Sequence, residues 1–337
     1  MVELAALDAR NPTAYLAALG VLRLLGDAGI RDAALAWRTE GGGCYRACVA
    51  GEGLRERDDV IEVVLEAHKA RDLAAEFGWE RDVMAISHEV ALEILDRATS
   101  RRALQMTGAC IAELPLRPKD RVPYTPLRVI PRLGRARFLD TLKKASERLS
   151  ERDLREALVG PWKYRDVNNM RWDPAAQLPV RAYAADAPTN FGPKGVPGAV
   201  VLAGAGLTFF PLVTSGRGAA CPGIATRGAK DRAERRERWR SFTLPIWTES
   251  LTEKAVAFTL RYAPLHRVSD ERDWESLRRH SIRAVVTFRR ETLGSDSETL
   301  SWGELIEDPA HVPQGAAVSG SSGDGPRAPE SAEATAG

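Results

Sequence analysis

Residues 160 to 184, GPWKYRDVNNMRWDPAAQLPVRAYA, set Trp162, Tyr164 and Trp172 among Lys163, Arg165 and Arg171, with Asn168 and Asn169 between them. Flat rings and guanidinium groups offset by single residues stack on nucleobases and pair with phosphates, and Asn side chains hydrogen-bond base edges. Trp162, Lys163, Arg165, Asn168, Asn169, Arg171 and Trp172 therefore form a candidate nucleic-acid or partner-binding surface. The same residue types also serve as ordinary core, with Arg stems covering apolar surface. Asp166 and Asp173 flank the two asparagines, and as a pair they would hold a divalent cation, as in nucleases, if the fold supplied further carboxylates.

Charge is partitioned along the chain. The formal net charge of +2 conceals −7 over residues 1 to 100, +14 over residues 101 to 247 and −5 over residues 248 to 337. A basic block of this size implies a polyanion or an acidic protein surface as partner, unless the acidic flanks neutralise it within one fold. Within it, RGAKDRAERRERWR lets Lys230, Arg235 and Arg238, or Arg232, Arg236 and Arg240, share helical faces, so that Lys230, Arg232, Arg235 and Arg236 form a second candidate contact that otherwise reads as a solvated helix.

Other chemistry is thin. HExxH, GxSxG and paired CxxC motifs are absent, and GAGLTF and GPKG lack the spacing of dinucleotide and phosphate loops. Asp58 and Asp59 begin a predicted helix, where its dipole favours them. Cys44 and Cys48 share a CxxxC spacing found in some zinc sites, but with no second pair or His nearby they read as small reduced thiols. His68 and His88 lie on predicted helices without a His at i+4, which points to solvated or core-satisfied imidazoles. No catalytic residue, metal site or cofactor is expected.

The elements that must carry these residues read as α+β: a mainly helical N-terminal half with a short hairpin, a mixed C-terminal half and a disordered tail. Asn11 and Pro12 cap a helix on which Leu16, Leu19, Leu22 and Leu25 recur. Ala34–Trp37 and Tyr45–Val49 read as a hairpin, and helices follow over Arg57–Phe77 and Val83–Ala98. Five prolines and six basic residues across 114–135 preclude a regular helix and mark a connector. The stretch Ala136–Val159 is helical with a break at Ser150, whose SERD resembles a capping box. Small residues in AVVLAGAGLTFFPLV permit close packing, Ser250 or Thr252 starts a helix, and Ile282–Phe288 is a late strand. From His311 the chain is rich in Gly, Ser, Ala, Pro and Glu and is expected to stay disordered. The organisation is thus 1–113, a helical or α+β N-terminal region; 114–135, a Pro-rich basic connector; 136–310, a basic α+β region; and 311–337, the disordered tail.

With these residues in view, the chain resembles proteins of CRISPR type I-G (formerly I-U) loci, in the helicase-nuclease-extension family or a related effector-complex subunit. The opening NPTAYLAALGVLRLL is similar to the NPLG-type leader and helix of effector-associated subunits. Trp162 with Tyr164, then MRWDP, RAYA, GLTFFP, and FTLPIW followed by SLTEKAV, resemble the spaced pattern of the family, over most of residues 1 to 307. Ala199 and Val200 stand where that pattern has a polar, Asn-containing step. The resemblance implies guide-RNA-directed antiviral defence. Joined to the charge partition, it implies a non-catalytic accessory subunit whose partners are effector subunits or the helicase-nuclease, guide RNA or target DNA. The alternatives are a metal-dependent nuclease using Asp166 and Asp173, and a protein-interaction module without nucleic-acid affinity. An acidic and apolar N-terminus, 44% hydrophobic content and no apolar run of roughly 20 residues fit a cytoplasmic protein without membrane contact.

Overall fold

The computed structural model describes residues 1–39, 43–113, 121–129, 137–177, 194–215, 218–224, 240–266, 271–293 and 297–310. The tail, the RAYA segment, most of the connector and the run holding Lys230, Arg232, Arg235 and Arg236 lie outside these residues. The fold is α+β.

Strand β1 (Val2–Asp8) leads into helix α1 (Pro12–Asp27). Asn11 caps that helix: its side-chain oxygen accepts from the Thr13 and Ala14 amides at 2.9 and 3.2 Å, and Pro12 has no N–H to satisfy. The expected hairpin forms from β2 (Ala34–Thr39) and β3 (Tyr45–Ala50), paired antiparallel with Leu35 opposite Val49. β1 then adds to β3, a strand the Leu- and Ala-rich opening does not announce. The long helical pattern of 57–98 breaks into α2 (Arg57–Lys69), α3 (Leu73–Phe77) and α4 (His88–Arg97). The breaks fall where Asp72 and Ser87 cap the next helix through their side chains. Helix α5 (Arg101–Cys110) follows.

Beyond the connector, α6 (Phe138–Glu147) and α7 (Glu151–Val159) meet at the capping box of Ser150 and Asp153, as the SERD pattern predicts. Then come α8 (Pro197–Gly206), the small pair β4 (Val213–Ser215) and β5 (Gly218–Ala220), and β6 (Ser241–Trp247). Two-residue β7 (Leu251–Thr252) runs into α9 (Glu253–Thr259), followed by α10 (Glu271–Arg278), β8 (Ile282–Leu293), β9 (Ser297–Leu300) and β10 (Glu304–Glu307). One sheet has the order β1-β3-β2-β7; the other has β10-β8-β6, with β9 also on β8. Pro245 is tolerated in β6 because that strand lies at an edge, and its carbonyl accepts from the Tyr15 hydroxyl at 2.7 Å.

Helix α1, packed on the N-terminal sheet, and α8, packed on α1, α6 and α7, are buried almost all round, as helices at the centre of a core must be. Their backbones touch. A Cβ on Gly20 would lie 1.8 Å from the Leu202 carbonyl oxygen, and one on Gly206 would lie 2.0 Å from that of Leu16. One continuous cluster of buried side chains runs from Val2 to Leu300, and β7 completes the N-terminal sheet. Regions 1–113 and 136–310 thus share a core instead of each enclosing its own. A smaller cluster of Leu265, Trp274, Leu277, Ile282 and Val285 sits beside it. Among the described residues no helix is long and apolar enough to cross a membrane.

His68 on α2 is core-satisfied. Its Nε2 lies 2.9 Å from the Ser146 carbonyl oxygen and donates to it, leaving Nδ1 to accept from Arg71 at 3.3 Å. Arg71 in turn pairs with Glu76 at 2.5 Å, both side chains being 2% exposed. Burial pushes the His68 pKa down from 6.5 to about 4. The stabilisation from neutral His68 is therefore complete above the unfolded pKa and is lost as pH falls from 6.5 towards about 4.

Three outcomes follow from this packing. Gly20→Ala should cost about 3 kcal/mol or more in urea unfolding, because neither backbone can yield without opening the core. Gly108→Ala, with nothing within 4 Å of its Cβ, should instead stabilise by about 0.4 to 1 kcal/mol. Between pH 7 and pH 5 the parent's melting temperature should fall more steeply than that of His68→Gln, which has no imidazole to protonate.

Candidate functional site

The stretch from Gly160 to Gln177 leaves α7 and crosses the molecule as an irregular strap, and its side chains face inward more than outward. Arg165 is forked onto two carboxylates of α7, with Nη1 donating to Asp153 at 2.6 Å and Nη2 to Glu156 at 2.8 Å. Its backbone exchanges both hydrogen bonds with Gly195, at 2.9 and 3.0 Å. Burial pushes the Asp153 carboxyl up, but hydrogen bonds from Ser150 and Arg165 outweigh it and hold the group below its usual range. The Lys163 amide donates to Glu156 at 2.9 Å while its side chain stays exposed. Trp162 is half-buried against the main core, with Nε1 donating to the Ala157 carbonyl at 3.0 Å.

The two asparagines shape the backbone. Asn168 accepts from the Met170 amide and Asn169 from the Arg171 amide, each at 2.9 Å, and both recipients are left-handed, with φ of 56° and 58°. That turn aims the Arg171 carbonyl at β9, where it accepts from the Leu300 amide at 3.0 Å and the Thr299 hydroxyl at 3.2 Å. It also drops Trp172 into the core at 0% exposure, its Nε1 donating to the Leu127 carbonyl at 2.7 Å and its ring edge-on to Phe138.

Asp173, 2% exposed, closes the strap. It accepts from the Asn11 side-chain amide and the Ala175 amide, each at 2.9 Å. Burial raises its pKa against the opposing effect of hydrogen bonds from Asn11 and Tyr164. Tyr164 is pushed up in turn, first by burial and then by the Asp173 charge. The NP of α1 and the WDP of the strap thus form one buried polar junction.

These positions correct the surface expected from residue types. Trp172 has no exposed face for a base, Asn169 is buried, Asn168 and Asn169 spend their oxygens on the turn, and Arg165 is counterion to α7. The two carboxylates already neutralise its charge and would repel an incoming phosphate. Asp166 is exposed while Asp173 is committed inside, so the pair does not form a metal site. Of the expected set, Lys163 presents a free cationic side chain to solvent.

The other candidates are likewise self-satisfied. Cys44 lies in the turn before β3, its Sγ 3.4 Å from Asp8, and burial pushes up the thiols of both Cys44 and Cys48. An open groove of about 710 Å³ lined by Ile30, Glu62, Val63 and Arg71 has its inner charges paired, Arg71 with Glu76 and Arg102 with Asp27. No protein-family model matches the chain, and no curated protein matches it.

Exposed cations without an ion-pair partner among the described residues lie elsewhere in the basic segment: Arg121, Lys144, Arg148, Arg152 and Lys194. Sequence reading also passed over Phe258, Tyr262 and His280, which gather at the surface of the smaller cluster. The i, i+4 spacing of Phe258 and Tyr262 was the available signal; His280 is brought in by the fold.

If the strap is structural, Trp172→Ala should cost about 3 to 5 kcal/mol in denaturant unfolding. Arg165→Ala should cost a smaller amount, about 1 to 2 kcal/mol, since the side chain is partly solvated while Asp153 and Glu156 are left nearly buried and unpaired.

Proposed function

We propose that this protein is a non-catalytic accessory subunit of a type I CRISPR antiviral defence system. It contacts nucleic acid or a neighbouring effector subunit through its basic middle segment. The observation that carries the reading is the charge partition: +14 over residues 101–247 between two acidic flanks. The pattern of NPTAYL, MRWDP and FTLPIW supplies the system by resemblance.

Intramolecular pairing supports the reading by what it leaves over. Acidic residues from the flanks take up some of the basic charge, as Asp27 does for Arg102, Asp58 for Arg155 and Asp82 for Arg128. Lys144, Arg148, Arg152 and Lys163 remain exposed without ion pairs among the described residues. Lys144 sits on α6, Arg148 in the turn between α6 and α7, Arg152 on α7 and Lys163 at the start of the strap. Contacts of this kind hold a phosphate backbone or an acidic surface without reading sequence.

The test is binding against salt. The parent chain should bind labelled single- and double-stranded oligonucleotides with an affinity that falls linearly on log-log axes, by about 0.7 to 0.9 per phosphate contact. Lys144→Glu with Arg148→Glu and Arg152→Glu should keep the parent's melting temperature, weaken all oligonucleotides alike and flatten that slope. Loss of effector-subunit retention by the triple variant, in a parent that binds no oligonucleotide, identifies the protein-contact form. A parent that binds neither oligonucleotides nor effector subunits overturns the proposal.

A further inference from the structure

Phe258 stands on the solvent side of α9 with 58% of its surface exposed, while Val256 and Thr259 of the same helix face inward. Single exposed apolar residues are ordinary, but this one belongs to a built group. Its ring centroid is 6.1 Å from that of Tyr262 and 5.7 Å from that of His280, and the last two meet edge to face at 4.4 Å. Tyr262 is fixed by a 2.6 Å hydrogen bond between its hydroxyl and Ser276, and it packs on the cluster of Leu265, Trp274 and Leu277. The His280 amide donates to the Leu277 carbonyl at 2.9 Å, which anchors the turn that carries the third ring. An exposed ring is therefore backed by two whose positions are set by a small core of their own.

The surroundings are cationic. Lys254 lies one turn before Phe258 and Arg261 three residues after it; both are exposed and without ion pairs among the described residues. Arg279, beside His280, is 74% exposed and tied only to Glu275 of the preceding helix, a solvent-screened pairing that holds it weakly. Glu253, the acidic residue nearest along α9, is turned away to Arg23 and Arg101. A flat exposed ring flanked by free cations matches a strand that offers bases and phosphates in alternation. An apolar protein hot spot would leave those cations desolvated beside it.

We propose that Phe258, backed by Tyr262 and His280, is a stacking platform for the bases of a single-stranded polynucleotide, with Lys254, Arg261 and Arg279 reaching its phosphates. The inference rests on the nucleic-acid form of the function proposed above and places a contact outside the basic middle segment. Stacking on a lone ring is tolerant of sequence, so the platform adds affinity and register without choosing bases.

The experiment is fluorescence anisotropy of the full chain with short labelled oligouridine, oligothymidine and an abasic strand of equal length. The parent should bind the base-bearing strands more tightly than the abasic one, and the RNA-to-DNA ratio tells which polynucleotide is preferred. Phe258→Ala should weaken the base-bearing strands about 5- to 150-fold, the loss of one stacked base, and leave the abasic strand and the melting temperature unchanged. Phe258→Trp should keep binding, and Lys254→Glu with Arg261→Glu should flatten the salt slope. Equal binding of Phe258→Ala and parent overturns the platform; if the Lys144, Arg148 and Arg152 variant still weakens binding, the proposed function stands without it. A parent that binds no strand but loses effector subunits on Phe258→Ala makes this face a protein-docking surface, which also overturns the platform. Binding of neither removes both proposals.

Discussion

The α1 and α8 backbones meet with no side chain between them, where Gly20 faces Leu202 and Gly206 faces Leu16. That contact sets the distance between the N-terminal sheet and the C-terminal half. α1 also packs beside β1 and reaches β6 through the Tyr15 hydroxyl, while α8 packs on α6 and α7. Gly198 repeats the device at the other end of α8, where a Cβ would fall 2.2 Å from the Asp153 carbonyl oxygen. The small-residue run of α8 is thus a demand of geometry: α1 and α7 each approach α8 more closely than side chains allow. Close-packed interiors do not absorb an added methyl group, so the crossing is the part of the fold least able to change.

The strap depends on that crossing and secures it. Asp173 reaches back across 162 residues to the side-chain amide of Asn11, whose oxygen caps α1. Arg165 neutralises Asp153 and Glu156, which lie on the α7 face near α8. Leu300 and Thr299 dock on the Arg171 carbonyl. A buried polar junction of this kind is costly unless every member is satisfied, and here the members satisfy one another. The aromatic and basic residues most suggestive of recognition are therefore consumed in holding helix, strap and strand together.

Charge that the fold does not use remains at the surface. Some basic residues of the middle segment are drawn inward as counterions, such as Arg128 to Asp82. Lys144 on α6, Arg148 between α6 and α7, and Arg152 on α7 are not, and neither are Lys254 and Arg261 beside the Phe258 ring. On the proposed reading, contact chemistry separates into a positioning component spread over helices and a stacking component on a ring cluster. Both are carried by secondary structure anchored in a core, which gives a partner a pre-shaped surface to meet.

The features legible in the sequence are those decided within a few residues. Asn11 and Pro12 begin a helix, the hairpin of β2 and β3 follows alternation and a Gly-rich turn, and Ser150 with Asp153 closes a capping box, because caps and turns are satisfied by neighbours three or four positions away. The partition of charge is a property of the chain itself. Tertiary structure decided the rest. β1 is a strand only because β3 offers an edge, since its Leu and Ala content favours a helix in isolation. Trp172 is core because the asparagine turn points it at Leu127 and Phe138, and Arg165 is a counterion because α7 returns beside it. His280 joins Phe258 and Tyr262 from the turn after α10. In each case the deciding partner lies many residues away, and residue type alone does not distinguish a ring or guanidinium that faces solvent from one that meets a buried carbonyl or carboxylate.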